Sequence, residues 1–300
     1  MKKAPHVIPY QGSKRKLAED ILSFMDFDID TLYEPFVGSG AITLAAAANN
    51  KAKKFVVADK LESLAELWVL IIENPQKLSE EYSQLWHDQL YNPAEYYKKV
   101  RADFNKNKSP SSLLYLVARC VKNAVRFNNS GDFNQGPDNR RLGLKPEKLK
   151  KEAELMSRLL KGRIKVFGGD FREAISDATP DDLVYMDPPW QGTSGKRDPR
   201  YAHLLDLDDL IQELKSLNDR KIPYMLSFDG TCGDRSYGAE LPENLNLQKV
   251  GLNAGRSSQA TLLGRDDVTI ESLYLSPALI AKSKGARPKK KSLQLDLLGG

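Results

Sequence analysis

Cysteine, histidine and long apolar runs are all scarce in this 300-residue chain, and each shortage excludes a class of function. Two cysteines, Cys120 and Cys232, cannot build a disulfide framework, and their rarity points to a reducing, cytoplasmic setting. Three histidines, His6, His87 and His203, lie far apart, and no Cys/His cluster has metal-ligand spacing, so no metal is expected. The longest strictly apolar run, Leu67 to Ile72, falls far short of the ~20 residues of a membrane span. Met1 to Lys16 is charged without the apolar segment of a signal peptide, so no membrane association is expected.

Strong charge of one sign is also missing from most of the chain. The net charge is +5, yet six cations between residues 280 and 300 (Lys282, Lys284, Arg287 and Lys289 to Lys291) face the single acid Asp296. The tail therefore carries the whole excess and the body is neutral. Neutrality leaves nucleic-acid binding open, because only the face toward phosphate must be positive.

What is present is an alternation of short β-branched or aromatic runs with longer amphipathic stretches, the pattern of a parallel sheet with crossover helices. Strands are expected at Thr31 to Val37, Phe55 to Asp59, Ile164 to Gly168, Leu183 to Met186 and Pro223 to Phe228. Ser13 is expected to cap a helix carrying Leu17, Ile21, Leu22 and Met25 on one side. From Asn74 to Gly162 the rhythm becomes mostly helical, rich in Tyr, Asn, Lys and Arg, with a turn-rich patch at Asn128 to Gly143. From Ile280 hydrophobic periodicity is lost, and a flexible basic arm is expected.

Two motifs carry chemistry. Glu34-Pro35-Phe36-Val37-Gly38-Ser39-Gly40 sits where a strand turns into a helix, and its glycines let the backbone approach a ligand closely. Asp59 ends the next strand, where a carboxylate can accept from ribose hydroxyls. The residues read equally well as a tight turn and a surface aspartate. Asp187-Pro188-Pro189-Trp190 follows an apolar strand, and its prolines fix the backbone. The Asp187 carboxylate and Pro188 carbonyl then stand as rigid acceptors beside an aromatic face, suited to an amine-bearing ring. A Pro-Pro turn closed by a core tryptophan is the alternative. Together, the motifs suit methyl transfer from a sulfonium to an exocyclic amine, whose lone pair is localised when acceptors pull on its hydrogens.

The ordered set Pro9-Tyr10-Gln11-Gly12-Ser13-Lys14, EPFVGSG, the Asp59 strand, Gly168 to Phe171 and DPPW resembles the D12-class, Dam-type N6-adenine DNA methyltransferases. The likeness extends to Arg126-Phe127-Asn128, Gly131 to Asn134, Ser227 to Asp229 and Gly255 to Ser257, and spans about residues 7 to 276. It implies an α/β fold: a doubly wound S-adenosylmethionine-dependent methyltransferase sheet with one antiparallel strand and an inserted, mostly helical DNA-recognition domain. The catalytic domain is then discontinuous, 1–74 and 162–279, with the insertion at 75–161 and the tail at 280–300. The activity implied is site-specific DNA adenine-N6 methylation of a flipped-out base; N4-cytosine methylation and a non-catalytic DNA-binding module retaining the fold are the alternatives.

Carried over by position, the resemblance places Tyr10, Gly12, Lys14, Glu34, Phe36, Gly38, Gly40, Asp59, Asp170, Phe171 and Asp187 around S-adenosylmethionine. Phe171 packs on the adenine ring and Asp170 accepts from its amino group. Asp187, Pro188, Pro189 and Trp190 hold the target base, Trp190 standing where Tyr or Phe is usual. Double-stranded DNA is the expected partner, since adenine N6 is reached only outside the stack. Asn123, Arg126, Asn128, Asn134, Arg140 and Arg141 are candidates for base and phosphate contact. Lys196, Arg197, Arg200 and Tyr201, in the polar stretch after DPPW, and Arg256 and Ser257 are candidates for phosphate. Finally, Gln294, Leu295, Leu297 and Leu298 resemble the short peptide with which replication proteins dock on the sliding clamp. Folding of those leucines back onto this protein is the alternative.

Overall fold

A computed structural model describes residues 1–128, 130–189, 205–232, 235–237, 240–256 and 268–283. Among them the strands are β1 (Thr31–Glu34), β2 (Lys54–Asp59), β3 (Ile164–Gly168), β4 (Leu183–Met186), β5 (Tyr224–Cys232), β6 (Arg235–Tyr237), β7 (Gln248–Arg256) and β8 (Val268–Leu275). They form one mixed sheet in the order β3-β2-β1-β4-β5-β8-β7, with the short β6 paired to β5. β3 through β5 are parallel, and β8 runs antiparallel between β5 and β7. This is the expected α/β sheet with one reversed strand along its main path. Chain order reverses between β1 and β4, and such a switch point opens a crevice beyond the carboxyl ends of the strands.

Both faces of the sheet are covered, as the unbroken buried runs of its central strands require. Leu32, Phe55, Val57, Leu183 and Tyr185 join the core on one side, and Tyr33, Val56, Val184 and Met186 the core on the other. The first side is covered by α1 (Ala18–Ser23), α2 (Ala41–Ala48) and α3 (Glu62–Glu73), whose buried residues belong to that core. The chain leaves the sheet after α3 through α4 (Pro75–Asp88), α5 (Pro93–Asn107) and α6 (Pro110–Arg119), and returns through α7 (Pro146–Leu160) into β3. Each of these four helices begins with proline, whose missing N–H costs nothing in the first turn. Asn74 and Asn92 cap α4 and α5 through side-chain acceptors. On α6, Leu113 through Ala118 are all buried, so this helix lies inside the group. One apolar cluster runs without a break from Ile21 and Trp68 through Tyr82, Phe104 and Leu116 to Leu160. The second side is covered by α8 (Phe171–Ala174) and α9 (Leu207–Asp219), and α10 (Pro277–Lys282) follows β8.

Three local expectations are corrected. The first strand ends at Glu34 rather than Val37, because Pro35 has no N–H to continue the ladder. Ser13 makes no cap hydrogen bond; its hydroxyl instead pairs with Ser39 Oγ at 2.8 Å, and the segment after it is a 3-10 turn (Lys14–Lys16) before α1. The strand expected at Pro223 to Phe228 continues to Cys232, past an irregularity between Ser227 and Gly230. No described helix is long and apolar enough to cross a membrane. Among the described residues no group of three or more His, Cys, Asp or Glu is placed to hold a metal.

Candidate active site

At the end of β1 the chain turns on two left-handed glycines, Gly38 at φ +46° and Gly40 at φ +61°. Their situations differ. A Cβ on Gly38 would meet the Tyr10 ring at 3.5 Å, an ordinary contact, whereas one on Gly40 would lie 2.2 Å from Trp68. Gly40 is therefore small because Trp68 fills the space against it, and Gly38 is the glycine of the pair beside the half-buried Tyr10. The Trp68 Nε1–H donates to Gly38 O at 3.1 Å, locking the turn from below.

Asp59, at the end of β2, holds this turn from the side. Its Oδ2 accepts from Gly38 N at 3.1 Å and its Oδ1 from Leu61 N at 3.0 Å. Burial pushes its carboxyl upward, against the pull of those two donors. Each oxygen retains acceptor capacity beyond its one backbone donor. Glu34 is buried, and its Oε2 accepts from Thr43 N at 2.8 Å in the first turn of α2. Burial raises this carboxyl to about 8, so it is largely protonated at neutral pH.

Phe36 and Phe171 face each other with ring centroids 5.1 Å apart, one following β1 and the other opening α8. Asp170 caps that short helix through Arg172 N and forms a two-pronged pair with the Arg172 guanidinium, both contacts at 2.9 Å. These bonds hold Asp170 below the usual carboxylate range. Gly169 N donates to Asp59 O, tying the β2 and β3 ends together.

Asp187 directly follows β4. Its two oxygens receive Lys14 Nζ at 2.7 and 2.8 Å. Lys14 also lies 3.5 Å from Glu271 on β8. Burial pushes Asp187 upward, Lys14 pulls it down, and Glu271 adds to the upward side. Pro188 is buried and Pro189 half-buried. Gly12, at φ +82°, makes the exposed turn that brings Lys14 inward, with Lys14 Nζ 3.4 Å from Gly12 O. Tyr10, Lys14, Glu34, Phe36, Gly38, Asp59, Asp170, Phe171 and Asp187 thus gather at the carboxyl edge of β1 to β4.

Of the residues anticipated to meet DNA, those described fall in one region. Arg126 to Asn134 form a small hairpin: Asn134 N donates to Arg126 O at 3.0 Å, Asn128 N to Asp132 O at 2.9 Å, and Phe127 bridges Phe133. Period-two alternation sends buried Phe133 toward Phe104 and puts Arg126, Asn128 and Asn134 on the other face. Asn128 Oδ1 is used by the turn itself, accepting from Ser130 N and Asp132 N, so its amide NH2 is what it offers outward. Asn123 faces inward: its amide donates to Val117 O, its Oδ1 accepts from Arg141, and its carbonyl accepts from Gln11 N at 3.0 Å. That last bond joins the helical segment to the Tyr10–Lys14 turn. Arg140 is held by Asp138 through two 2.9 Å contacts. Arg141 bonds Cys120 O as well as Asn123.

Trp190, Lys196, Arg197, Arg200, Tyr201, Ser257, Gln294, Leu295, Leu297 and Leu298 lie outside the described residues, as does the side chain of Arg256. Sequence reasoning missed Glu271, Trp68 and Arg119. The first carried one signal, a lone acid in the alternating strand Val-Thr-Ile-Glu-Ser-Leu.

Comparison with known proteins bears on this geometry. The profile of the family described as D12 class N6 adenine-specific DNA methyltransferase matches residues 10–251. The Type II methyltransferase M.MjaIII of Methanocaldococcus jannaschii is 29% identical over 241 residues, 74% of this chain and 81% of its own. The Type II methyltransferase M1.LlaDCHI of Lactococcus lactis subsp. cremoris is 28% identical over 275 residues, 87% of this chain and 91% of its own. The DNA adenine methylase of Escherichia coli (strain K12) is 26% identical over 247 residues, covering 79% and 85% respectively.

Proposed function

The chain belongs to the D12 class of N6 adenine-specific DNA methyltransferases and acts on adenine N6 in DNA; from that premise we propose that S-adenosylmethionine is the methyl donor and that the carboxyl edge of β1 to β4 binds it. The single observation carrying this reading is the placement of Asp187 beside the glycine turn at the switch point between β1 and β4. The residues fit the donor. Asp59 is a rigid acceptor with lone pairs to spare for ribose hydroxyls, and the tilted Phe36 and Phe171 rings suit a purine. Gly38 admits close approach beside Tyr10, and Glu34 lines the floor. Bound there, S-adenosylmethionine supplies a methyl group already activated by its sulfonium.

The protein's own part is orientation and electrostatics. Asp187 and the Pro188 carbonyl accept the two N6 hydrogens of the flipped adenine, which draws nitrogen toward sp3 geometry and localises its lone pair. Pro189 stiffens that acceptor pair and Trp190 stacks on the base. Lys14 orients Asp187 through both its oxygens. Residues 75–161 serve as the DNA-recognition insertion, the Arg126–Asn134 hairpin and the Arg140–Arg141 loop facing duplex. The Gln11–Asn123 bond couples that surface to the donor site. Lys196, Arg197, Arg200, Tyr201, Arg256 and Ser257 add phosphate contacts. A restriction-modification setting agrees with the names of two relatives.

The test is incubation with mixed-sequence duplex and labelled S-adenosylmethionine, followed by nucleoside mass spectrometry. N6-methyladenine that vanishes in Asp187→Ala is expected; full activity in that variant would refute the site. A second proposal concerns Gln294 to Leu298, an extended peptide for the apolar groove of a sliding clamp on a basic tether. Deleting residues 293–300 should abolish binding to purified clamp.

A further inference from the structure

Lys14 is a buried ammonium shared unequally between two carboxylates. Its side chain is only 9% exposed, with Asp187 at 2.7 Å and Glu271 at 3.5 Å. The three groups come from distant parts of the chain: the turn before α1, the end of β4, and β8. Glu271 sits in β8 opposite Gly230 of β5, beside the strand irregularity, and lies beyond the stretch matched by the family profile. Its Oε2 is buried and has no hydrogen-bond partner among the described residues. Buried polar atoms are nearly always satisfied, so a carboxylate oxygen left bare beside an ammonium needs a reason.

The reason lies in what Asp187 must do in the reaction. Lys14 contacts both its oxygens, and although each keeps a second lone pair, a charge-assisted bond of that kind withdraws electron density from an acceptor. The incoming amine needs the same oxygens. If Lys14 simply let go, a buried ammonium would lose the carboxylate it holds most closely, which is costly unless a second counter-ion takes its place. Glu271 stands where such a counter-ion is required. Its distance to Lys14 exceeds a charge-assisted hydrogen bond by about 0.7 Å, a gap that a lysine rotamer adjustment closes.

We propose that Glu271 is a positioning residue for methyl transfer: it receives the Lys14 ammonium as the target amine reaches Asp187, so that the Asp187 oxygens accept from that amine at full basicity. This rests on the site reading above, with Asp187 as the acceptor of the amine. Across the Lys14, Asp187 and Glu271 group one net negative charge remains throughout, which favours the sulfonium of the donor. Glu271 touches neither substrate nor donor in this scheme and acts only through Lys14.

The test uses the full-length chain, a duplex substrate and labelled S-adenosylmethionine in single turnover, with donor and DNA affinities measured separately. Glu271→Gln keeps shape and removes charge; its transfer rate is expected to fall about 10- to 100-fold, the scale of a misplaced reacting group. Both affinities should stay within about twofold of wild type, a split that general loss of structure would not give. In a Lys14→Met background the same substitution should change the residual rate less than about twofold, because its effect travels through Lys14. A Glu271→Gln rate within twofold of wild type overturns the proposal, and so does an undiminished effect in the Lys14→Met background. Should Glu271→Gln lose its cooperative unfolding transition, Glu271→Asp replaces it: the charge is kept but withdrawn, a similar fall is expected, and an unchanged rate overturns the idea. Full activity in Asp187→Ala would instead remove the site reading on which the inference stands.

Discussion

Replacing Gly40 with alanine tests whether the glycine turn is built for packing as well as for ligand approach. The added Cβ would lie 2.2 Å from Trp68 Cη2 and Cζ2 and 3.3 Å from Val37 Cγ2. Carbon atoms in proteins prefer about 3.5–4.0 Å, so the indole ring must retreat by more than an ångström. It has nowhere to go: Trp68 is fully buried and its Nε1–H is committed to Gly38 O. Overpacking of this kind costs about 1–3 kcal/mol. The left-handed φ of +61° costs alanine a further ~1 kcal/mol or more. The sum, about 2–4 kcal/mol, is a large part of the stability of an ordinary domain. Gly38→Ala is the control, with the same backbone strain but a 3.5 Å contact to Tyr10, and should cost only about 1 kcal/mol. Urea unfolding monitored by far-ultraviolet circular dichroism gives both values, and Gly40→Ala in a Trp68→Leu background should lose most of its excess cost. Equal destabilisation by the two alanine variants, or an excess that persists without the indole, would refute the reasoning.

Three further outcomes are expected. Glu34 has a folded-state pKa of about 8, above its ordinary 4.5, so the folded protein binds its proton more tightly and stability falls as pH rises between those values. Glu34→Gln should remove that slope, worth roughly 4 kcal/mol by pH 8; parallel stability-pH curves for the two proteins would contradict it. Arg119 is a fully buried guanidinium that donates to the carbonyls of Pro93, Asp138 and Arg141 and lies over the Tyr97 ring, so it ties α5 to the Asp138–Arg141 loop. Arg119→Met should destabilise by about 3 kcal/mol through the unpaired carbonyls, and a loss below 1 kcal/mol in urea unfolding would argue against the tie. Arg126→Ala should weaken DNA binding and reduce the slope of log affinity against log salt by about one, while donor affinity is unchanged; an unaltered slope would take Arg126 off the phosphate surface.

Much of the molecule was legible in the chain. The β3 and β4 boundaries follow from apolar runs bounded by Gly, Pro and Asp, and β2 starts one residue earlier than expected. The ends of β1 and β5 were misjudged because hydrophobicity does not report where a ladder loses a donor at Pro35, or how far a strand extends once β8 pairs with it. The motif residues converge because parallel strands present all their carboxyl ends on one edge, which local pattern alone implies. The role of Ser13 was misread for the opposite reason: its capping signature is local, but its partner, Ser39, is supplied by tertiary contact.

By itself, then, the sequence determined the class of sheet, the glycine turn after the first strand, and the family. Only the tertiary structure decided that Gly40 is small because of Trp68, that the Arg126–Asn134 hairpin shows one face outward, and that Lys14 stands between Asp187 and Glu271. The physical reason is the range of the forces involved. Strand, turn and cap preferences act over a few residues and leave their mark in consecutive letters. Steric exclusion and charge pairing act at contact distance between groups 173 residues apart, as for Lys14 and Asp187, and exist only once the sheet has brought them together.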